Sequence, residues 1–485
     1  MNGDISRDSF DPYLHYTRVV MQQGRVQLDA DWNEQAAITE HRLRSLLADL
    51  IGPFGGPRDH CGFAVSTDPA ALTNMTGKYG LPLAPDRVTE ITGLLAGGDF
   101  LIGPGRYYVD GLLVENDEPV TYSEQAGYPF DDGTTLPKLR GASSFLVYLD
   151  VWERQVTWLE NPDLAEVALG GADTAGRAQL VWQVKVLRGS AAMTCSSTSA
   201  LSRARPPLLR ARAKLPEQQQ DACVIDPAAR YRGAENQLYR VEIHRGGTAR
   251  PAGATAGGAT FKWSRENGSV AFPVTELAGD TGADETTAVL ATLGRDRRLG
   301  LAQEDWVEIV DDGYALRAAA EPLHQVEQID RDKLQVVLSG VGPAGTGQDQ
   351  ARHPLLRRWD HDASDPAVSD EGALLVAEPG PAGGGWIDLE DGVQIQFPAS
   401  AVPGQPNEYR TGDYWLIPAR TATGDVIWPR HLVGDQPEPD ARPPRGVEHH
   451  YAPLVVASVD ANGHWTLASP DCRKTFVPLP DIKSP

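Results

Sequence analysis

Leucines in the N-terminal part of the chain recur with the period of an α-helix. Leu43, Leu46, Leu47 and Leu50 stand at positions i, i+3, i+4 and i+7, which lie on one face of a helix with 3.6 residues per turn. The pattern predicts one amphipathic helix near the N-terminus, with leucines along one side.

The residues around these leucines indicate where the helix begins and ends. Asp31 with Glu34 three residues later resembles a capping box built on Asp, so the helix is predicted to start at Asp31. It is predicted to stop at Gly52 and Pro53, because glycine accepts the left-handed cap conformation and proline cannot continue a helix.

Beyond Pro53 the apolar residues follow the pattern of β-strands instead. Asp110 and Gly111 separate two apolar runs and predict a hairpin, because a type I′ turn needs positive φ at both central positions. Residues 145–158 are apolar on both faces, which is typical of a strand covered on both sides by a second sheet or another subunit. The predicted extended segments are 16–21, 25–28, 100–102, 106–109, 112–114, 145–158, 180–187, 237–244, 260–263, 269–274, 306–310, 334–338, 393–397, 414–417 and 454–459.

Few of the intervening segments have helical periodicity, which argues against a parallel sheet built from βαβ units. The sequence predicts a mainly β protein of several packed antiparallel modules, of sandwich or small-barrel type, with one N-terminal amphipathic α-helix. Loop-rich stretches divide it into five predicted units. These are an N-terminal arm and helix (1–60), a β domain (61–190), a linker (191–230), a second β domain (231–345) and a C-terminal β domain (346–485).

The net charge and the hydropathy of the chain argue against two classes of function, nucleic-acid binding and membrane insertion. The 485 residues include 44 Lys and Arg against 66 Asp and Glu, and the net charge of −22 argues against a nucleic-acid partner, because phosphates need clustered basic side chains. The polar N-terminus lacks the apolar region of a signal peptide, and no apolar run reaches the ~18–20 residues of a membrane-spanning helix. We therefore expect the protein to be made and assembled in the cytoplasm, without membrane insertion. Any extracellular role would follow release, for example of a whole particle by cell lysis.

The four cysteines are Cys61, Cys195, Cys223 and Cys472, and they lie far apart without a C-x-x-C pair. This spacing excludes the usual structural zinc patterns and a disulfide-dense scaffold. It predicts scattered reduced thiols.

One acidic stretch resembles a calcium loop. Asp29, Asp31, Asn33 and Glu40 occupy positions 1, 3, 5 and 12 of an EF-hand pattern, but Glu34 stands at position 6, where the sharp turn needs glycine. The predicted helix also begins within this stretch. Helix capping is therefore preferred over calcium binding.

The densest histidine cluster is His449 and His450, preceded by Glu448. Adjacent side chains on a strand point to opposite faces, and no H-x-H or H-E-x-x-H spacing connects them with His431 or His464. His449 and His450 are therefore weak metal candidates, which leaves a metal-dependent hydrolase as a third hypothesis. The preferred interpretation is that one ring is packed and hydrogen-bonded, whereas the other faces solvent or a neighbouring subunit.

No sequence signature of an enzyme is present. The chain contains no G-x-S-x-G elbow, no phosphate-binding G-x-x-x-x-G-K-[ST] loop and no strand-linked G-x-G-x-x-G. We therefore predict neither enzymatic activity nor a cofactor. Polar pairs such as Arg240 and Glu242 are predicted to form ion pairs within the chain rather than between subunits, because strand neighbours usually pair locally.

Tryptophans support an alternative function. Most of the 11 tryptophans are expected in cores, but a minority would suit a subunit interface or would stack on sugar rings. The alternative is a carbohydrate-binding or carbohydrate-cleaving β protein that acts on cell envelopes. It predicts an exposed aromatic platform beside paired carboxylates in a cleft.

Several short motifs follow one another from about residue 5 to residue 475. They are SRDSFDP (6–12), HYTRVVMQQGRVQLDADWNE (15–34), GRYYVDG (105–111), EVALGGADT (166–174), ENQLYRVEIH (235–244), FKWSRENGS (261–269), YRTGDYW (409–415), GVEHHY (446–451) and DCR (471–473). Together they resemble a family encoded in the gene clusters of phage-tail-like extracellular contractile injection systems. Their order along the chain is the specific feature of the resemblance.

The resemblance implies a structural subunit of a contractile particle, located at the baseplate, its surrounding cage or a fibre. We expect a homo-oligomer, a trimer or hexamer, because tail axes have threefold or sixfold order and a heterologous ring must close. The other expected partners are tail or baseplate proteins. The polar, aromatic-bearing arm ahead of the helix is the predicted docking element. The predicted assembly residues are Phe10, Tyr13, His15, Tyr16, Arg25, Asp31 and Trp32.

Overall fold

The structure is a computed structural model that describes residues 2–130, 134–141, 144–189, 192–203, 205–215, 230–250, 258–362, 367–379 and 384–477. Its α-helices are α1 (Asp29–Ile51), α2 (Pro85–Ala96), α3 (Leu136–Leu139) and α4 (Asp312–Arg317). Short 3₁₀ turns lie at Pro12–Leu14, Arg58–His60, Pro69–Asn74, Lys78–Gly80, Tyr122–Glu124, Pro162–Leu164, Val167–Leu169, Cys195–Ala200 and Gln350–Arg352.

The strands follow in chain order. The first are β1 (Phe54–Pro57), β2 (Val65–Ser66), β3 (Leu101–Ile102), β4 (Gly105–Val109), β5 (Leu112–Asn116), β6 (Val120–Thr121), β7 (Phe145–Val156), β8 (Ala165–Glu166), β9 (Ala172–Asp173), β10 (Arg177–Arg188), β11 (Arg210–Ala213), β12 (Gln237–Arg245), β13 (Gly247–Thr248), β14 (Thr260–Ser264) and β15 (Ala271–Asp280). The remaining strands are β16 (Glu285–Leu290), β17 (Trp306–Val310), β18 (His324–Asp330), β19 (Gln335–Ser339), β20 (Leu355–Trp359), β21 (Leu374–Leu375), β22 (Ile387–Asp388), β23 (Val393–Gln396), β24 (Glu408–Tyr409), β25 (Tyr414–Arg420), β26 (Asp425–Val426), β27 (Arg430–Val433), β28 (Gln436–Pro439), β29 (His450–Val459), β30 (Trp465–Leu467) and β31 (Thr475–Phe476).

The predicted fold class is confirmed: the protein is mainly β, with several antiparallel sheets and few helices. The predicted hairpin is also present, since Asp110 (φ +47°) and Gly111 (φ +78°) connect β4 and β5. The predicted extended runs at 16–21 and 25–28 do not pair as strands.

Helix α1 begins slightly earlier than predicted. Leu28 is its N-cap, and the Asp31 carboxylate accepts a hydrogen bond from the Leu28 N–H at 3.1 Å, so Asp31 acts from the third helical position. The helix ends before Gly52 (φ +89°), as predicted. Helix α2 was missed by the sequence analysis, although Pro85 at its first position is a helix-start signal.

The first unit of the fold contains the first and the last strand of the chain, and we call it the terminal unit. It consists of the sheets β10-β7-β29-β30, β31-β1-β4-β5 and β2-β3-β6. Strand β7 is buried on both faces, as predicted: Val147 and Leu149 enter the main core, whereas Leu146 and Tyr148 pack in a second cluster.

The second unit, called the central unit, contains the sheets β21-β14-β12-β25-β26 and β11-β23-β22. Its core is rich in aromatic side chains, including Tyr239, Phe261 and Trp415. One face of β12 supplies this core through Tyr239, Val241 and Ile243. The alternation of a strand therefore turns Arg240, Glu242 and His244 to the opposite face.

The third unit is a closed barrel with the strand order β15-β16-β19-β18-β17-β20. Its interior is filled by aliphatic side chains such as Val307, Ile309 and Leu356. The alternating residues Glu308 and Arg357 face each other on adjacent strands, on the outside of the barrel.

The units are nested in the chain. The barrel strands β15–β20 interrupt the central sheet between β14 and β21, and the central unit in turn separates β7 from its partner β29. Apart from β2-β3-β6, each sheet named for the terminal and central units is completed only after the chain returns from the inserted unit. The predicted division into five consecutive units stays a prediction.

The prediction of scattered reduced thiols is wrong for two cysteines. Cys195 and Cys472 form a disulfide across 277 residues, with their Cα atoms 5.4 Å apart. The 3₁₀ turn that begins at Cys195 packs on β29, and this contact brings the distant residues together. Cys61 is a free, half-buried thiol, and Cys223 lies outside the described residues.

None of the described helices is long and apolar enough to cross a membrane.

Candidate functional site

The N-terminal region exposes many large apolar side chains. We define the N-terminal surface as residues 12–28 together with the exposed side of α1. Its exposed apolar residues are Tyr13, Leu14, Tyr16, Val20, Met21, Val26, Leu28, Trp32, Leu43, Leu46 and Leu50. Val26 is 82% exposed and Leu50 is 74% exposed. Within α1, only Ala30 and Ile38 are fully buried.

The residues before this surface are tied to their own chain. The Gly3 N–H donates to the Asn267 carbonyl at 3.3 Å, and the Asn267 side-chain amide donates to the Gly3 carbonyl at 2.9 Å. The Ser6 hydroxyl donates to the Asp29 carboxylate at 2.6 Å. This hydrogen bond lowers the pKa of Asp29. Ser9 donates to Glu34 of α1 at 2.5 Å. Residues 2–11 therefore fix the position of the arm, and the exposed segment begins after them.

The predicted assembly residues fall into two groups. Phe10 packs against the ring of His41 on α1, at 5.6 Å between ring centroids, and Asp31 caps the helix, so both serve the chain itself. The other five are exposed to solvent. They are Tyr13, His15, Tyr16, Arg25 and Trp32.

Within the N-terminal surface, residues 12–28 differ in charge from the rest of the protein. Residues 12–28 contain two arginines, Arg18 and Arg25, and no Asp or Glu. The remainder of the chain has 42 basic residues against 66 acidic ones. An apolar, basic segment therefore projects from an acidic protein.

His449 and His450 point to different partners, as expected for neighbours at the start of a strand. His449 donates from Nδ1 to Asp150 at 2.7 Å and stacks on Trp152, whereas His450 bonds Asp110 and Arg44 at 2.9 and 3.0 Å. His450 is therefore packed and hydrogen-bonded, whereas His449 is hydrogen-bonded but half-buried, and the prediction that one ring faces solvent or another subunit stays a prediction. Within the described ranges, no three His, Cys, Asp or Glu side chains converge as metal ligands would.

The tryptophans are mostly buried or half-buried. Trp263, Trp359 and Trp415 lie in cores, and Trp152 is covered by the ring of His449. Trp32 on α1 and Trp158 after β7 are the exposed ones. A sugar-stacking platform would therefore depend on these two side chains.

A polar cleft of about 190 Å³ lies where the central unit, the barrel and the end of β7 meet. The central unit contributes Arg240, Glu242, His244 and Lys262. The barrel contributes, among others, Glu308 and Arg357, with Asp311, Asp312 and Tyr314 around α4. Trp152, Arg154 and Thr157 close the side that belongs to the terminal unit.

A buried ionic network forms the floor of this cleft. The Lys262 ammonium donates to Glu308 at 2.6 Å, lies 3.5 Å from Glu242, and sits 4.3 Å above the ring of Trp359. Tyr314 and Trp359 also donate to Glu308, at 2.8 and 3.0 Å. Burial alone raises the pKa of Glu308, but the positive charges of Lys262 and Arg357 outweigh it and lower the pKa to about 2. Both oxygens of Glu308 are therefore charged and hydrogen-bonded.

Arg240 completes the ionic network. It lies two residues before Glu242, on the same face of β12. Its Nε donates to Glu242 at 2.5 Å, so the two residues pair within the chain. Burial raises the pKa of Glu242, but Arg240 and Lys262 together lower it below its ordinary value. Two cations and two carboxylates thus balance each other in the floor.

Two polar side chains of the cleft lie beside this network and take no part in its hydrogen bonds. His244 is 1% exposed, and neither of its ring nitrogens has a hydrogen-bond partner among the described residues. Burial and the nearby Lys262 lower the pKa of His244 to about 3, so the ring is neutral. Arg357 is half-buried, and the described part of the chain offers its guanidinium no hydrogen bond or ion pair.

The sequence contains a partial signal for this cleft. Arg240, Glu242 and His244 alternate with apolar residues on one strand, which gives that strand a fully polar face. The contact between Lys262 and Glu308 joins residues 46 positions apart in the chain, and periodicity does not reveal such a contact.

Comparisons with known proteins identify the family but no activity. A search of curated proteins and a search of solved structures each gave no match. A family model described as "Family of unknown function (DUF6519)" matches residues 1–205 and 193–479, which is nearly the whole chain. The chain therefore belongs to the DUF6519 family.

Proposed function

We propose that the protein is a structural, non-enzymatic subunit that self-associates through its N-terminal surface. The observation that carries the proposal is the exposure of eleven large apolar side chains on residues 12–28 and α1. Leu43, Leu46 and Leu50 form a helical stripe of the kind that normally faces a core. Contiguous exposed apolar patches on soluble proteins typically mark interaction sites.

A second copy of the chain is the partner that the charges favour. The two arginines of residues 12–28 would meet a protein surface with an excess of carboxylates, which every copy offers. The arm is anchored at residues 2–11, so its direction is fixed before it meets a neighbour. Head-to-tail contacts generate a ring when the rotation between copies closes, and we propose a closed ring of three or six copies.

The resemblance of the nine motifs extends the proposal to a particle. We propose that the oligomer belongs to a contractile phage-tail-like injection particle, at its baseplate, cage or a fibre, and docks to other tail proteins there. Electron microscopy of particles from a strain that lacks this protein tests the point. Complete particles in that strain would overturn it.

Substitutions on the N-terminal surface test self-association directly. In Leu46→Lys/Leu50→Lys, and separately in Tyr16→Ser/Val26→Ser, we expect light scattering after gel filtration to show a shift from oligomer to monomer. Leu432→Ser/Val433→Ser is the matched control, because these residues are equally exposed on the hairpin β27–β28. We expect the control to stay oligomeric and all variants to keep the circular dichroism of the wild type. A monomeric wild type, or a shift of equal size in the control, would refute the proposal.

A further inference from the structure

The cleft between the central unit and the barrel has the features of a built ligand site. Its floor is rigid, because each glutamate is held by two or more partners and Lys262 and Arg240 are buried beside them. Sites on paired strands hold their side chains more precisely than sites on loops. His244 and Arg357 both stand on such strands, β12 and β20.

Both residues line the cleft together with Glu308. Arg357 lies directly across from Glu308 on the adjacent strand, and the buried His244 ring has no hydrogen-bond partner among the described residues. A buried histidine without hydrogen bonds pays a desolvation cost that a hydrogen-bond partner normally offsets. The neutral ring has one N–H donor and one acceptor, and the guanidinium has a planar fork of donors.

From this geometry we propose that the cleft binds a small organic acid through a single carboxylate, which accepts hydrogen bonds from the Arg357 guanidinium and from the His244 ring. A carboxylate matches the guanidinium fork in shape and takes two parallel hydrogen bonds from it. The charges also match. Lys262 and Arg240 balance Glu242 and Glu308, so Arg357 leaves one uncompensated positive charge at the inner end of the cleft, next to this network. One ligand carboxylate neutralises that charge.

Other ligand classes fit this inner end less well. A phosphate dianion would place an uncompensated negative charge next to Glu242 and Glu308. A cation would find both of these carboxylates already occupied by Lys262 and Arg240. The inner end therefore selects a monoanion.

The outer part of the cleft restricts the rest of the ligand. Asp312 accepts from His353 at 2.8 Å and lies 3.6 Å from Arg154, and Glu160 accepts from Thr157 at 2.5 Å. Together with Glu153 and Asp311, these groups make the rim acidic overall. The far end of the ligand should consequently be neutral or positively charged. The volume of about 190 Å³ is below the roughly 300–1,000 Å³ of drug-sized sites, so the molecule is small.

Titration calorimetry on the full-length protein tests the proposal with defined probes. Propanoate represents a neutral far end, alanine a positively charged one, and phosphate and succinate are the contrasting anions. We expect propanoate or alanine to bind. Phosphate and succinate should bind at least about tenfold more weakly, because each carries a second negative charge that no basic side chain of the cleft compensates. No binding of propanoate or alanine, or tighter binding of phosphate, would overturn the proposal.

Variants locate the binding. Arg357→Gln should weaken binding about tenfold or more, because it removes charge-assisted hydrogen bonds. Arg295→Gln is the matched control on an exposed barrel loop and should leave affinity unchanged. His244→Phe should weaken binding while raising the melting temperature of the ligand-free protein, since it removes two buried unpaired nitrogens. Equal affinities of Arg357→Gln and Arg295→Gln, or wild-type affinity in His244→Phe, would refute the assigned roles. The proposal does not depend on self-association, because no cleft residue belongs to the N-terminal surface.

Discussion

Lys262 of β14 and Glu308 of β17 lie 2.6 Å apart, and this fully buried contact joins the central unit to the barrel. Buried ion pairs add little compared with well-packed apolar residues, but the loss of one partner leaves an uncompensated charge in the protein interior. The contact therefore makes the interface between the two units sensitive to single substitutions.

We expect Lys262→Met to lower the free energy of unfolding by about 3–5 kcal/mol, because Glu308 then keeps its charge without its cation. Lys262→Met/Glu308→Leu should lose less than the single variant. Lys333→Met is the matched control, since it removes an exposed ion pair with Asp330, and it should cost less than about 1 kcal/mol. Urea denaturation measures all three. Equal losses in Lys262→Met and Lys333→Met would contradict the buried network.

The same network predicts a pH dependence of stability. The pKa of Glu308 is lowered from its ordinary value of 4.5 to about 2. A carboxyl whose pKa is lower in the folded state stabilises that state above its unfolded pKa, and the contribution disappears as the pH falls through the folded pKa. We therefore expect the stability difference between wild type and Glu308→Gln to be constant at neutral pH and to shrink between about pH 4.5 and about pH 2. A difference that stays constant over this acid range would show that Glu308 does not titrate as described.

The disulfide predicts a dependence on redox conditions. Because Cys195 and Cys472 enclose 277 residues, the bond restricts the unfolded chain, and Cys195→Ala/Cys472→Ala should lower stability by about 2–4 kcal/mol. A reducing agent should destabilise the wild type by a similar amount and leave the double variant unchanged. Alkylation followed by mass spectrometry identifies the bonded pair. A wild type that is indifferent to reductant would argue against the bond.

Helix α1 is fixed by a close approach to the hairpin of β4 and β5. A Cβ atom on Gly111 would lie 2.3 Å from the backbone oxygen of Arg44, so Gly111→Ala must push the helix away from the hairpin. Gly434→Ala is the matched control, because Gly434 also has positive φ in a hairpin but has open space around it. We expect Gly111→Ala to lower the melting temperature more than Gly434→Ala, and to increase proteolysis within α1. Equal decreases in melting temperature would mean that the effect comes from placing alanine at a positive φ, and not from the close approach of Gly111 to Arg44.

Much of the local structure could be predicted from the sequence. The runs that became β7, β10, β12 and β29, and the turn at Asp110 and Gly111, follow from two-residue periodicity and from positive φ, which are properties of neighbouring residues. The end of α1 at Gly52 could be predicted for the same reason. All of these features depend on residues that are close together in the sequence.

Contacts between distant residues could not be predicted in this way. The pairing of β7 with β29, the disulfide of Cys195 with Cys472 and the contact of Lys262 with Glu308 each depend on how separate elements pack. The leucines of α1 show a related limit. Their spacing indicates a helix with an apolar face, but the spacing alone does not tell whether that face is covered by the same chain.

The barrel leaves and rejoins the central unit at a single neck. Arg358 donates its backbone N–H to the Val270 carbonyl at 2.9 Å, and Asp360 donates to Trp263 at the same distance, so the two connecting stretches run side by side. Domain insertion is tolerated where the joined ends lie close together. A recombination event at this neck would therefore add, remove or exchange the whole barrel, while the strands of the host sheet would have only a short gap to bridge.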